Sequence, residues 1–319
     1  MKSLIIICFI VIFLIIIGLI FIGNKFYNLA INPKVSKDII FNSKDEKNEE
    51  KLTKDKTSGE NAKEDLKWFL NDSNYEDIYI NSYDGLKLHG YKIKNKNDTN
   101  KWVITVHGYT SEGKLMSNFA KHFYEMGYNL LVPDLRGHGM SQGDYIGMGW
   151  DDRLDIISWI NFLNENERDN ITILHGISMG GATVMMTSGE ELPSNLKLII
   201  EDCGYTSVWD QFAYELKVLF KLPPIPFMNV ASLVCKIRAG YFLGAASSVK
   251  QLAKAKVPIL FIHGDKDDFV PFYMLDKVYS AANCKKEKLV IKGAGHAKAA
   301  TVNPKKYWET VREFIDKNI

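Results

Sequence analysis

Gly176-Ile177-Ser178-Met179-Gly180 sets a hydroxyl between two glycines, after the apolar run Ile171 to Leu174 and before small residues that can continue as helix. A serine at a sharp strand-to-helix turn has a strained backbone, and its hydroxyl projects from the sheet edge. Such a turn brings backbone close from both sides, and glycine at positions 176 and 180 removes the clash. The helix that follows points its N-terminus at the serine and favours negative charge there. Three fixed residues in five recur by chance, so the pattern needs its β-before, helix-after context and its partners. With a base and an acid in reach, Ser178 has the chemistry of an acyl-transfer nucleophile.

The chain has seven histidines. His296, in Gly293-Ala294-Gly295-His296-Ala297, follows the last expected strand, the loop position from which a ring can swing over the serine. His263 and His175 precede glycines inside strand ends and read as packed residues. His107 opens a turn, His138 lies in a glycine-rich loop, and His89 and His122 read as ordinary surface or helix residues. The base needs a carboxylate on its far nitrogen to fix its tautomer. His263-Gly-Asp265-Lys-Asp267-Asp268-Phe-Val270-Pro271 offers three acids at a strand end. A loop leaving at Gly264 and entering a helix at Pro271 puts Asp267 at its inner apex. Asp268 is the alternative, with Asp265 solvent-facing or capping. Developing oxyanion charge requires two backbone donors. One is the amide of Met179. The other is that of Tyr109, in the turn His107-Gly108-Tyr109-Thr110, where Gly108 lets backbone approach.

These residues need a scaffold. Asp77 to Ile93 alternates apolar and polar residues around Asp84-Gly85, a hairpin signature. Trp102–Val106 reads as a buried strand. Strands at 128–132, 171–174, 196–200, 258–262 and 288–291 then alternate with helices at 150–164, from Met179, at 272–282 and at 305–315. A hairpin followed by β–α units predicts an α/β fold, a mostly parallel sheet with helices on both faces. In such sheets sites form beyond the carboxyl ends of the strands, where the serine, acid, histidine and oxyanion motifs all fall. Tyr205 to Val249 breaks the alternation with Leu222-Pro-Pro-Ile-Pro-Phe227 and reads as a small helical cap over the site.

At 319 residues the chain fits one large α/β domain with appendages, and its net charge of +2 gives no reason to expect nucleic acid as a partner. Leu4 to Ile22 carries no charge and is long enough to cross a bilayer. It exceeds the apolar core of a secretory signal and is followed by no small-x-small cleavage site, so residues 1–23 are expected to be an uncleaved anchor. Lys2 before the span and Lys25, Lys34 and Lys37 after it leave orientation open by charge. The three-residue tail is that of a signal anchor with the domain exported. Residues 24–63 are expected to be a polar, solvated linker, and residues 64–319 the folded domain, with the cap at 205–249. Of Cys8, Cys203, Cys235 and Cys284, the three in the domain cannot all pair within it, and their spacing matches no zinc site. The chemistry needs neither metal nor cofactor.

Val106-His-Gly-Tyr109, Asp134-Leu-Arg-Gly-His-Gly-Met-Ser141, Gly176-Ile-Ser-Met-Gly180, His263 to Pro271 and Gly295-His296, in this order, resemble the α/β-hydrolase superfamily over about Leu66 to Ile319. The resemblance is strongest to bacterial serine-aminopeptidase-like and dienelactone-hydrolase-like hydrolases, many with one N-terminal membrane segment. Its chain order of serine, acid and histidine is that of Ser178, Asp267 and His296. It implies that the Asp134–Ser141 loop is structural. It also implies a serine hydrolase acting on a small-molecule acyl substrate, with a carboxylic ester expected. The alternatives are an aminopeptidase or amidase, for which Glu215 in the cap could face a substrate amine, and a membrane-tethered binding protein without turnover. The fold hosts many chemistries, so the motifs do not name the substrate.

Overall fold

The structure, a computed structural model, describes residues 2–45 and 56–319. Eight strands form one sheet: β1 Glu76–Asn81, β2 Lys87–Ile93, β3 Lys101–Val106, β4 Asn129–Pro133, β5 Ile171–Ile177, β6 Leu196–Asp202, β7 Ile259–Gly264 and β8 Lys286–Ile291. Their order is β1-β2-β4-β3-β5-β6-β7-β8. The expected hairpin forms, with Gly85 at φ 88° in its turn. β2 pairs antiparallel with β4, and every later pairing is parallel. This is the mostly parallel α/β sheet expected from the alternation, and the α/β-hydrolase fold that the resemblance implies.

Period-two packing against two core layers explains why the central parallel strands are mostly apolar. In β3, Trp102, Ile104 and Val106 enter one core layer and Val103 the other. In β5, Leu174 and Ile173 divide in the same way. Both faces are covered over the middle of the sheet, and the exposed side chains of these strands, Lys101, Lys197 and Lys288, lie at strand starts or on the edge strand. The helices, in chain order, are α1 Lys2–Ala30, α2 Asp38–Asp45, α3 Lys56–Lys67, α4 Ser117–Glu125, α5 Asp152–Asn166, α6 Met179–Thr187, α7 Val208–Phe220, α8 Phe227–Ala239, α9 Ser248–Leu252, α10 Tyr273–Ala281, α11 Ala299–Val302 and α12 Pro304–Asp316. Parallel neighbours need such crossovers. The register aligns the strand ends. Val106 lies beside Gly176, Ile177 beside Asp202, and Gly264 beside Ile291. One edge of the sheet therefore collects the loops that carry the motifs.

The cap is a helical hairpin, α7 and α8, closed at its base by a bridge between Ser207 and Ser247 and by Val208 N–H donating to Ala246 O at 2.9 Å. Ser207 caps α7 by accepting from Asp210 N–H.

The N-terminal segment differs from its expected division. Leu4–Ala30 is one helix long and apolar enough to cross a membrane. It does not give way to a solvated linker after residue 23. The helix runs on to Ala30, and Tyr27, Ile31 and Ile40 are buried against the domain. Ile31 O accepts from Ile146 N–H at 2.8 Å, and the Arg238 guanidinium on α8 donates to Asn24 and Asn28. Spaced apolar residues among Lys and Asn read as polar on average, yet Tyr27 and Ile31 join the main core and Ile40 is buried at the cavity. The expected linker is helical again at Lys56–Lys67, and its residues 46–55 lie outside those described.

Candidate active site

The turn from β5 into α6 places Ser178 at φ 57° and ψ −115°, a conformation that costs an L-residue strain and persists only where packing enforces it. The enforcement is visible. Ser178 N–H donates to Asp202 O at 2.8 Å, and its carbonyl accepts from Ala182 N–H at 2.9 Å. A β-carbon at Gly176 would run into the Gly180 carbonyl, and one at Gly180 into the carbonyls of Val106 and His107. Those atoms are backbone and cannot give way, which is why both positions are glycine.

His296 and the acid loop converge on this hydroxyl. The loops after β7 and β8 are zipped together: Lys266 N–H donates to Ala294 O at 2.9 Å, and Asp265 accepts from Gly293 N–H at 2.6 Å. A side chain at Gly264 would strike Ala294, so glycine permits this approach. His296 Nε2 lies 2.8 Å from Ser178 Oγ, and His296 Nδ1 lies 2.8 Å from Asp267 Oδ2. Asp267 Oδ1 accepts from the N–H groups of Phe269 at 3.0 Å and Val270 at 2.9 Å. Burial alone would raise the Asp267 carboxyl. The charge of His296 and the hydrogen bonds from His263 and His296 outweigh burial and hold it well below the ordinary carboxylate range. Asp267 therefore enters neutral pH as a fixed anion facing the histidine. Asp268 is exposed, and Asp265 is spent on Gly293.

Tyr109 and Met179 border the same cavity as Ser178. Met179 opens α6, so its N–H has no intrahelical acceptor. Among the described residues neither amide donates to a backbone or side-chain acceptor. A β-carbon on Gly108 would sit 3.4 Å from the Ser178 β-carbon, which shows how closely this turn approaches the hydroxyl. The arrangement can take a proton from a hydroxyl, hold the resulting imidazolium, and meet negative charge with two amides.

The cavity is narrow, about 80 Å³, and is partly open to solvent. Its walls come from α7 and α8 and from the N-terminal segment, including Phe26, Tyr27 and Ile31. That residues 24–40 reach the site is only faintly marked in the chain. The clue is the continued spacing of Phe26, Tyr27, Ala30 and Ile31 past the span. Glu215 does border the cavity, with one carboxylate oxygen 3.3 Å from Gln211 Nε2.

The other histidines sort by burial. His107 is buried and neutral, since desolvation lowers its pKa. Its Nδ1–H donates to Gly108 O and its Nε2 accepts from Leu135 N–H, bracing the turn beside Ser178. His175 is buried against Thr105, as expected of a packed residue. His263 lies behind the acid, with Nε2 3.0 Å from Val270 O and 3.2 Å from Asp267 Oδ2. His89 is not a surface residue. It is fully buried, with Nδ1 2.7 Å from Asp134 and Nε2 2.9 Å from Asp77. Burial opposes its charge, but the two carboxylates prevail and its pKa is raised. Asp134 also accepts from Gly113 N–H and Met140 N–H, and Arg136 forms a bidentate pair with Asp155. The Asp134–Ser141 loop is thereby fixed as a buried polar brace.

Among the described residues, Cys203, Asp267 and His296 offer donor atoms within 4.8 Å of one another. Burial pushes the Cys203 thiol well above its ordinary value, and a protonated thiol is a poor ligand. Asp267 and His296 are already engaged with each other, so the set does not fit a metal.

The family model described as serine aminopeptidase, S33 matches residues 97–223. The chain is 29% identical over 233 residues to the uncharacterised protein YqkD of Bacillus subtilis (strain 168), covering 73% of this chain and 76% of that one. It is 23% identical over 220 residues to a thermostable monoacylglycerol lipase of Bacillus sp. (strain H-257), covering 59% and 79%. Among solved structures, the Pyrococcus furiosus esterase Pf2001 superposes with a TM-score of 0.63 at 24% identity, covering 80% of this chain and 93% of that one.

Proposed function

We propose that this chain of α/β-hydrolase fold is a membrane-anchored serine hydrolase that cleaves a carboxylic ester through an acyl-enzyme. The observation that carries the proposal is the unbroken relay from Ser178 Oγ through His296 to Asp267, two contacts of 2.8 Å on a serine at positive φ. Ser178 Oγ attacks the ester carbonyl while His296 Nε2 takes its proton. The carbonyl oxygen becomes an oxyanion held by the amides of Tyr109 and Met179. The carbon–oxygen bond to the leaving alcohol breaks, His296 returns the proton to it, and an acyl-serine remains. Water, deprotonated by His296, then releases the acid and restores Ser178. Asp267 positions the ring and stabilises the imidazolium. These steps use the chain's own groups and draw on no cofactor or metal.

An ester is favoured over an amide because the cavity bordering Ser178 is almost wholly apolar, with little to seat a charged amine. The similar Bacillus lipase and Pyrococcus esterase carry names of the same class. The alternative, aminopeptidase or amidase action, draws on the description of the matching family and on Glu215, a carboxylate on this otherwise apolar lining. A panel of p-nitrophenyl esters against aminoacyl-p-nitroanilides separates the two. Ester turnover that disappears in Ser178→Ala supports the proposal, and turnover of nitroanilides alone overturns the ester assignment.

The Leu4–Ala30 helix serves as the anchor, and a relative in Saccharomyces cerevisiae, 22% identical over 243 residues, is described as an uncharacterised membrane protein. The proposal places the domain outside the cytoplasm. Full-length protein that stays in the membrane through carbonate extraction, and whose domain is cut by protease added to intact cells, supports this. A soluble processed form in cells contradicts it.

A further inference from the structure

The apolar span and the cavity are parts of one continuous feature. Residues 4–21 of α1 are almost wholly exposed and, as a helix, reach roughly 27 Å, close to the ~30 Å of a bilayer's hydrocarbon. From Ile22 the same helix packs into the domain. Gly23 lies against Val230 of α8 so closely that a β-carbon there would meet its backbone. Phe26 meets Phe220 and Phe227 of the cap with ring centroids 5.6 and 6.3 Å apart. Phe26, Tyr27 and Ala30 then form a wall of the cavity that holds Ser178. Phe26 lies only about 8 Å along the helix from the end of the exposed span. Tyr109 O–H donates to Ala30 O at 2.8 Å, joining the end of this helix to the turn beside the serine.

The cap surface around the helix is apolar as well. Leu233 and Ile237 follow Val230 along one stripe of α8, and Ile237 is 74% exposed. Ile225, just before α8, is 71% exposed, and Phe220 and Phe242, at the end of α7 and just after α8, are exposed as well. Lys25, Lys221, Lys236 and Arg238 stand among them, exposed. An apolar patch studded with cations beside a spanning helix matches a lipid–water interface, where apolar side chains enter the acyl region and cations meet phosphates.

We propose that the substrate is a long-chain acyl ester resident in the bilayer, and that residues 26–30 of the anchor helix form the wall against which its acyl chain lies. The proposal rests on the serine-hydrolase assignment above. An acyl chain passing from bilayer to this cavity exchanges one apolar surrounding for another, so its entry costs little hydrophobic free energy. The anchor is then part of the binding site as well as a tether, and it sets which chain lengths fit.

The test uses the full chain in phosphatidylcholine nanodiscs, with p-nitrophenyl acetate, octanoate and palmitate. Wild type should show kcat/KM for the palmitate ester at least tenfold above that for acetate. Ala30→Trp, on the helix wall, and Ala231→Trp, on the facing α8, should each lower the palmitate-to-acetate ratio at least tenfold. Phe26→Ala should shift the preference towards the longer chain and guards against a tryptophan variant that fails to fold. A melt and the rate of fluorophosphonate labelling establish that each variant retains its site. Ser178-dependent turnover with acetate preferred, or with ratios unmoved in folded variants, would overturn the lipid proposal while leaving the serine hydrolase standing. Absence of turnover on every ester together with absence of labelling would overturn both.

Discussion

Asp267→Asn isolates the electrostatic part of the proposed chemistry, because the backbone dictates how the amide must sit. Oδ1 receives two N–H groups, from Phe269 and Val270, whereas Oδ2 faces His296 Nδ1. An asparagine keeps both backbone bonds only with its carbonyl oxygen in the Oδ1 place. The opposite orientation sets an NH₂ against two donors and forfeits about 1–3 kcal/mol for each unsatisfied group. The favoured orientation points NH₂ at His296 Nδ1. The ring must then accept there and carry its proton on Nε2, so it cannot take the Ser178 proton. The same exchange in a serine protease lowers kcat by about 10⁴, equivalent to ~5 kcal/mol in the barrier. We expect a kcat loss on the order of 10⁴ on a p-nitrophenyl ester. The variant should also be less stable at neutral pH. A carboxyl held below its ordinary value contributes stability above the unfolded pKa, and that stability is lost as pH falls through the folded one. The melting difference should therefore shrink towards acid pH. Asp265→Asn and Asp268→Asn should lose little. A folded Asp267→Asn enzyme within tenfold of wild type, or a dead Asp268→Asn, would refute this account of the acid.

Gly180→Ala should destabilise the elbow by about 1–3 kcal/mol or prevent folding, since the new methyl meets the Val106 and His107 carbonyls, and denaturant titration measures it. His89→Ala leaves the Asp134 carboxylate buried without its partner and should cost about 3–5 kcal/mol in the same assay. Because the His89 pKa is raised, that contribution should be complete below its unfolded value and fade as pH rises through its folded one. Burial pushes Glu201 up to about 8 from 4.5, so the folded chain keeps a proton that the unfolded chain releases between those values. Stability should fall as pH rises through that window, by on the order of 3 kcal/mol at pH 7, and Glu201→Gln should flatten the dependence in melts from pH 4.5 to 8.

The parts of the site legible in the sequence are those where covalent geometry leaves one option. Gly176, Gly180 and Gly264 face backbone atoms that cannot move, and the acid and histidine sit in loops whose places follow from strand alternation. Asp267 rather than Asp268 followed from its position in a short loop, and the structure brings Asp267 to His296. Burial set by distant partners was not legible. His89 looks like any strand-edge histidine until β4 delivers Asp134 beside it. The packing of the N-terminal segment is hidden for the same reason. Tyr27, Ile31 and Ile40 are too sparse to announce a core, and their burial depends on distant parts of the chain. The helix Ser117–Glu125 was missed because Phe119, Ala120 and Phe123 give too short a run to stand out.

The most direct test of the central claim is intact-protein and peptide mass spectrometry after exposure of the full chain to a fluorophosphonate probe. The account predicts one adduct per chain, on Ser178, formed rapidly by wild type, slowed strongly by His296→Ala and absent in Ser178→Ala. Folded wild-type protein that stays unlabelled, or labels on another residue while hydrolysing esters, would contradict it.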